Sequence, residues 1–204
     1  MQPDGDLVLR GRHLCFMGRG FPCTLGRGGI RSNKQEADGA TPAGCLRIVG
    51  MLYRPDRVAR PQPWARPVGH GDLWSDAPLD SAYNQLLRAP YAPSHEKLHR
   101  ADPLYDLVLL TDWNWPLAVA GRGSAIFVHQ YRRMGFPTEG CIALRRDHLH
   151  WIARRITWGA RLIISEGRRA YGHRRWSRLR PGESILNRAI KHAIATRHAI
   201  RNAG

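Results

Sequence analysis

No uninterrupted apolar run reaches the ~18 residues that a membrane-spanning helix needs, so no segment of the chain reads as one. Cysteine is sparse: four in 204 residues, with no Cys-x-x-Cys pair and no partnering His cluster. That excludes a disulfide scaffold and argues against zinc, so Cys15, Cys23 and Cys45 are expected in the core. Acidic charge is short, 16 Asp+Glu against 32 Lys+Arg. Internal repeats and low-complexity tracts are missing. The first residues, Met1 to Asp6, are polar and acidic, and they lack the basic start and apolar middle of a secretory signal.

What is present suffices for one ordinary domain with an appendage. Apolar residues make up 43% of the chain, which argues against wholesale disorder and supplies a core. The net charge of +16 is unevenly spread. From Glu166 to Gly204, ten Lys+Arg face two acidic residues, so this short stretch holds half of the excess. Arg168, Arg169, Arg174, Arg175, Arg178 and Arg180 cluster around Tyr171 and Trp176. After the Pro181-Gly182 break, Ile185, Leu186, Ala189, Ile190, Ala193 and Ile194 recur at helical spacing, with Ser184 as N-cap. Residues 166–204 are therefore expected to be a basic, partly helical extension. Its charge suits weak association with anionic membrane or wall polymer. The plainer reading is a solvated extension whose helix docks on the body. No groove-reading or RNA-binding motif occurs, so no specific nucleic acid is expected.

The body, residues 6–165, reads as mainly β. Asp6–Arg10, His13–Met17, Cys45–Tyr53, Leu104–Leu110, Ser124–Val128 and Arg161–Ser165 are short strand-like runs punctuated by glycine and proline. A few short helices are expected, among them an amphipathic one between Arg146 and Ile156, with Leu149, Ile152 and Ile156 on one face. Residues 54–103 are rich in Pro and Trp and too long for a plain connection, so they read as an ordered insertion. Helices do not alternate with strands, so a β-rich α+β sandwich or mixed sheet fits better than a doubly wound fold.

The chemistry-bearing segment is Gly123 to Leu144. An apolar strand delivers His129, a loop follows, and Cys141 arrives after Gly140 and before another apolar run. A thiolate is a good nucleophile when a neighbouring imidazole takes its proton. Gly140 permits a tight turn whose amides can face an oxyanion. By spacing alone the signal is weak, because a lone cysteine is more often a small buried core residue and a histidine ending a strand more often structural.

Gly123-Ser124-Ala125-Ile126-Phe127-Val128-His129 with Thr138-Glu139-Gly140-Cys141 resembles the catalytic signature of the L,D-transpeptidase (YkuD-like) family. Asp38-Gly39-Ala40-Thr41-Pro42-Ala43-Gly44 is similar to the family's Thr-Pro-x-Gly turn. Gly26-Arg27-Gly28-Gly29-Ile30 and Lys34 precede it, as in a bacterial branch with Thr-Glu-Gly-Cys in place of Ser-His-Gly-Cys. Glu139 thus stands where most of the family has His, and the loop is shorter than usual. The resemblance covers about residues 6–165 and not the basic tail.

The resemblance implies a β-sandwich-like catalytic domain acting on peptidoglycan stem peptides, with Cys141 as nucleophile, His129 as general base and amides near Gly140 as oxyanion hole. It also implies a thioester with the stem tetrapeptide, release of D-Ala and transfer to an amine, without metal or organic cofactor. It places the protein in the periplasm or cell envelope; with no signal visible, a cytoplasmic place stays open. Thr138, Glu139, Arg122, Arg145, Trp74 and Tyr83 are the candidates for holding substrate, the arginines through its carboxylates. Asp76 and Asn84 accompany the last two in the long loop. His95-Glu96 with Asp106 is a further polar group, read as surface contacts, and His148 and His150 are expected to be exposed on the helix. Two other readings remain: water as acceptor, which makes a cysteine carboxypeptidase or endopeptidase, and a basic polymer-binding protein without catalysis.

Overall fold

The computed structural model describes residues 5–166. Strands β1 (Leu7–Arg10), β2 (His13–Phe16) and β3 (Arg19–Thr24) form an antiparallel meander. The short strands β4 (Ile30–Arg31) and β5 (Thr41–Pro42) pair in parallel. β6 (Gly44–Tyr53) is the longest strand, and β7 (Arg66–Pro67) adds to its end. β8 (Asp72–Ser75), β9 (Leu86–Arg88) and β10 (His95–Lys97) make a separate antiparallel sheet with β8 in the middle. β11 (Leu107–Thr111), β12 (Phe127–Gln130), β13 (Ile142–Leu144), helix α1 (Arg146–Ala153) and β14 (Arg161–Ile164) complete the described chain.

The main hydrogen-bonded ladder runs β11-β12-β13-β3-β2-β1-β14-β6-β7 and closes through a second pairing of β6 with β11. Two strands turn the corners. Residues 44–47 of β6 pair with β14, and Ile48 to Tyr53 pair with β11. In β3, residues 19–22 pair with β2, whereas Cys23 and Thr24 face β13. The result is a closed β-sandwich.

Its interior is filled by alternate residues. Leu7 and Leu9 of β1, Leu14 and Phe16 of β2, and Leu162 and Ile164 of β14 meet Val128, Leu107 and Leu109 from the opposite half. Helix α1 contributes Leu149, Ile152 and Ala153 to the same core.

A second cluster covers the other face of β11 and β12. Val108 and Phe127 pack there with Leu52, Val68, Trp74, Leu98 and Tyr105, most of them from residues 54–106. The Trp74 ring meets Phe127 edge-on at 5.0 Å. β12 is thus buried on both sides, which explains its unbroken burial.

The mainly-β fold matches expectation, with differences in detail. The described residues hold one α-helix rather than a few, and it ends at Ala153, with Ile156 still packed in the core. The strand expected at 124–128 begins only at Phe127, so His129 lies inside it rather than at its end. β3 went unforeseen because Gly20 and Pro22 read as breakers. It is a corner strand that changes partners, where such residues fit. Residues 54–103 contain the three-stranded sheet and its packing face. The basic stretch from residue 167 lies outside the described residues.

Candidate active site

β12 and β13 are parallel neighbours, with Val128 opposite Ile142 and His129 opposite Ala143. Extending that register puts Cys141, just ahead of β13, opposite Phe127. Side chains two apart share a face, so His129, Ala143, Cys141 and Phe127 all point to the same side of the sheet, away from Val128. His129, Cys141 and Ala143 line one cavity of about 810 Å³, together with Glu36, Asp76, Glu96, Arg100, Tyr105, Ser124, Thr138, Glu139 and the exposed loop residues Arg132, Arg133, Phe136 and Pro137.

His129 is 5% exposed, and the edge of its ring meets Tyr105 at 5.4 Å. Its Nδ1 lies 2.8 Å from the Gln130 carbonyl oxygen. A carbonyl only accepts, so Nδ1 carries the proton and Nε2 holds the lone pair. Burial lowers the imidazole pKa to about 4, against the opposing pull of the Gln130 carbonyl.

Cys141 is half-buried and unpaired. Its Sγ–H donates to the Ala125 carbonyl at 3.1 Å, and its sulfur accepts from the Phe127 N–H at 3.4 Å. Burial pushes the thiol up to about 12, and only in part does the Phe127 amide offset this. The resting pair is therefore neutral thiol beside neutral imidazole, and not a preformed ion pair.

The turn before the nucleophile is fixed by its own side chain. The Thr138 hydroxyl donates to the Cys141 carbonyl at 2.6 Å and accepts from the Gly140 N–H at 3.2 Å. Gly140 has φ +143°, and a Cβ there would lie 2.8 Å from the Ala40 carbonyl. Behind the turn, the two glycine-rich sequence segments lock together. Gly28 N–H bonds the Gly39 carbonyl, Thr41 N–H bonds the Gly29 carbonyl, and Gly26 N–H bonds the Thr41 hydroxyl. A Cβ on Gly28 would lie 2.5 Å from the Asp38 carbonyl, so that approach needs glycine. The Arg27 N–H holds the Thr138 carbonyl, and its guanidinium pairs with Glu139 at 2.7 Å on the exposed rim.

The other candidates are placed as follows. Tyr83 is buried; its hydroxyl donates to Glu36 and accepts from the Gly123 N–H at 3.0 Å. Trp74 is buried under the cavity wall with its indole N–H on Asn84. Asn84 accepts from the Ala125 N–H and donates to the Trp113 and Asn114 carbonyls. Arg122 stacks on Trp113, and Arg145 pairs with Asp147 at the start of α1. None of Trp74, Tyr83, Arg122 and Arg145 is among the cavity's lining residues. Arg100, Arg132 and Arg133 are.

The polar group His95-Glu96 with Asp106 is divided. His95 bonds the Pro93 carbonyl, Glu96 lines the cavity, and Asp106 is buried in an ion pair with Arg57 at 3.0 Å. His148 and His150 are half-buried rather than exposed, because they flank the buried Leu149 of α1 on its two sides; His148 lies against Phe21. Cys23 is in the core as expected, but Cys45 is exposed, since it sits on the outward face of β6.

Among the described residues, no group of three or more His, Cys, Asp or Glu is placed to hold a metal ion. No helix among them is long and apolar enough to cross a membrane. Sequence reasoning missed Tyr105 and Arg100, read Glu96 as a surface contact, and named Lys34 and Asp38 only as parts of the resemblance, not as a pair. Tyr105 sat unremarked in an apolar run, and nothing local ties the others to Cys141.

The sequence model of the YkuD family, described as the L,D-transpeptidase catalytic domain, matches residues 4–164. No curated protein and no solved structure matches the chain.

Proposed function

Since the chain belongs to the L,D-transpeptidase catalytic-domain family, we propose that Cys141 is its nucleophile and His129 the base that activates it. Proteins of this family are acyltransferases of cell-wall biogenesis that act on peptidoglycan stem peptides, in the periplasm or cell envelope. One observation carries the assignment. The thiol and an imidazole with its Nε2 lone pair available share one face of a parallel strand pair and open into one cavity.

With the thiol at about 12 and the imidazole at about 4, proton transfer in the resting pair is strongly uphill. It therefore accompanies attack rather than precedes it. Sγ bonds to the carbonyl carbon of the third stem residue as its proton passes to His129 Nε2. The Gly140 N–H is committed to Thr138, so the developing oxyanion falls to the Cys141 N–H. His129 then protonates the amine of the departing D-Ala as the C–N bond breaks, leaving a thioester. The side-chain amine of a second stem attacks the thioester, giving a 3→3 cross-link, and the proton returns to sulfur through His129.

The cavity is lined by exposed polar groups such as Glu139 and Arg132, so water has access to the same thioester. A carboxypeptidase outcome is the second reading. Incubation with tetrapeptide muropeptides separates them by mass: dimers with D-Ala release mark transfer, and tripeptides alone mark hydrolysis. Carbapenem treatment followed by intact-protein mass spectrometry tests the nucleophile. One adduct is expected, mapped to Cys141 and lost in Cys141→Ala. An adduct on another residue, or full activity in Cys141→Ala, rejects the assignment.

A further inference from the structure

Lys34 is a buried cation that the steps above do not use. Its side chain is 2% exposed. Nζ donates to Asp38 Oδ1 at 2.5 Å and to the Gln35 carbonyl at 2.6 Å. Asp38 also accepts from the N–H groups of Gln35 and Ala40, at 2.9 and 2.8 Å. Burial pushes the Asp38 carboxyl up, but these amides and Lys34 outweigh it and hold it below its ordinary value. Asp38 is therefore held as the carboxylate.

Its location is specific. The Lys34 stem fills the space between two glycines of positive φ. A Cβ on Gly123 would lie 3.1 Å from Lys34 Cε, and one on Gly140 would lie 3.6 Å from it. Gly140 immediately precedes Cys141, and Gly123 opens the segment that leads into β12. Ala40, whose N–H Asp38 holds, presses its carbonyl against Gly140 from the same loop. Taking two charges out of water is costlier than filling the volume with apolar side chains, so packing alone does not account for an ion pair here.

We propose that the Lys34–Asp38 pair is a positioning device for the nucleophile: Lys34 wedges the Gly140 turn into place and supplies the positive charge that favours an anion at Cys141. The inference rests on Cys141 being the nucleophile. The charged and titratable groups that share the cavity with the thiol are His129 on β12, Tyr105 ahead of β11, Glu96 on β10, Arg100 after it, Asp76 after β8 and Glu36 after β4, with Lys34 and Asp38 behind the Gly140 turn. Glu139 is paired with Arg27 on the rim. Glu96 opposes thiolate formation and Lys34 favours it. Asp38 neutralises part of the Lys34 field, so the two members of the pair act on the sulfur with opposite sign.

That opposition gives the test. Alkylation of Cys141 by iodoacetamide in the full chain is followed by peptide mass between about pH 7 and 9, where the rate tracks the thiolate fraction. Lys34→Met is expected to slow it about threefold to tenfold at each pH, and Asp38→Asn to speed it by a similar factor. Rates unchanged in both variants overturn the proposal. So do rates that move in the same direction, as a loosened site would give. If Lys34→Met does not fold, Asp38→Asn and Lys34→Arg decide: the first must be faster than wild type and the second close to it. Failure of the wild-type chain to form a carbapenem adduct at Cys141 instead sinks the nucleophile assignment, whatever the Lys34 variants do.

Discussion

As the proposed base, His129 must be neutral, and its burial in the folded chain keeps it so down to about pH 4. The same burial makes stability depend on pH. An unfolded chain protonates this imidazole near its ordinary value of 6.5, well above the folded value. Between those two values the unfolded state binds more protons, so stability falls as pH drops through that window and levels off below it. The whole effect is on the order of 3 kcal/mol at most. Thermal melts from about pH 7 to 4 are expected to show this loss, reduced in His129→Asn. A second residue-scale prediction concerns Gly140→Ala. Its Cβ would meet a backbone carbonyl at a positive φ, so the turn shifts at a cost of about 1–3 kcal/mol. The carbapenem adduct at Cys141 should form at least about tenfold more slowly even where the chain still folds. At this scale the sequence displayed His129, Gly140 and Cys141 because they lie within one short segment. It hid Lys34, Tyr105 and Glu96, which reach the site only through the closure of the sheets.

Among elements, the small sheet of β8, β9 and β10 governs the cavity without supplying its nucleophile or base. Trp74 on β8 seats it on Phe127, which lies opposite Cys141. Trp74→Ala is expected to cost about 3–5 kcal/mol, the range for emptying a buried aromatic site. Trp74→Phe keeps an edge contact but loses the bond to Asn84 and part of the ring volume, about 1–3 kcal/mol, less than Trp74→Ala. Urea melts of the two variants measure the difference. The strands that alternate or run continuously apolar, such as β1, β11 and β14, were legible in the sequence. β3 and the short strands β4, β5, β7, β9 and β10 were not. They are edge or corner pieces of two to six residues whose pairing is set by partners distant in sequence, and their local composition says turn.

Over the whole described molecule, the first and last strands lie side by side. β1 pairs in parallel with β14, and Arg161 bonds Asp6 at 2.5 Å. A chain that starts after Arg10 is therefore expected to lose cooperative unfolding in a circular-dichroism melt, because β2 and β14 would both be left with a bare edge. A chain that stops at Glu166 should differ in another respect. It keeps β14 and every cavity residue, so carbapenem should acylate it at the wild-type rate. Co-sedimentation with anionic vesicles should fall, because nine of the sixteen net positive charges are gone. The mainly-β class was readable from the spacing of short apolar runs. A sandwich-like arrangement was expected too, but not which strands close it, because that depends on β3 and β6 each serving two neighbours.

Parallel strands cannot be joined by a hairpin, so the connection from Gln130 to Ile142 must travel back along the full length of β12 before Cys141 can take its place. That return path, from Tyr131 to Glu139, is also the outer rim of the cavity. Reagent and gatekeeper are consequently encoded by one continuous stretch of chain. Shortening, lengthening or recharging the part of it ahead of Thr138 would retune what enters, while Thr138 still holds the turn that carries the sulfur. For anyone redesigning this catalyst, selectivity can be exchanged as a single cassette.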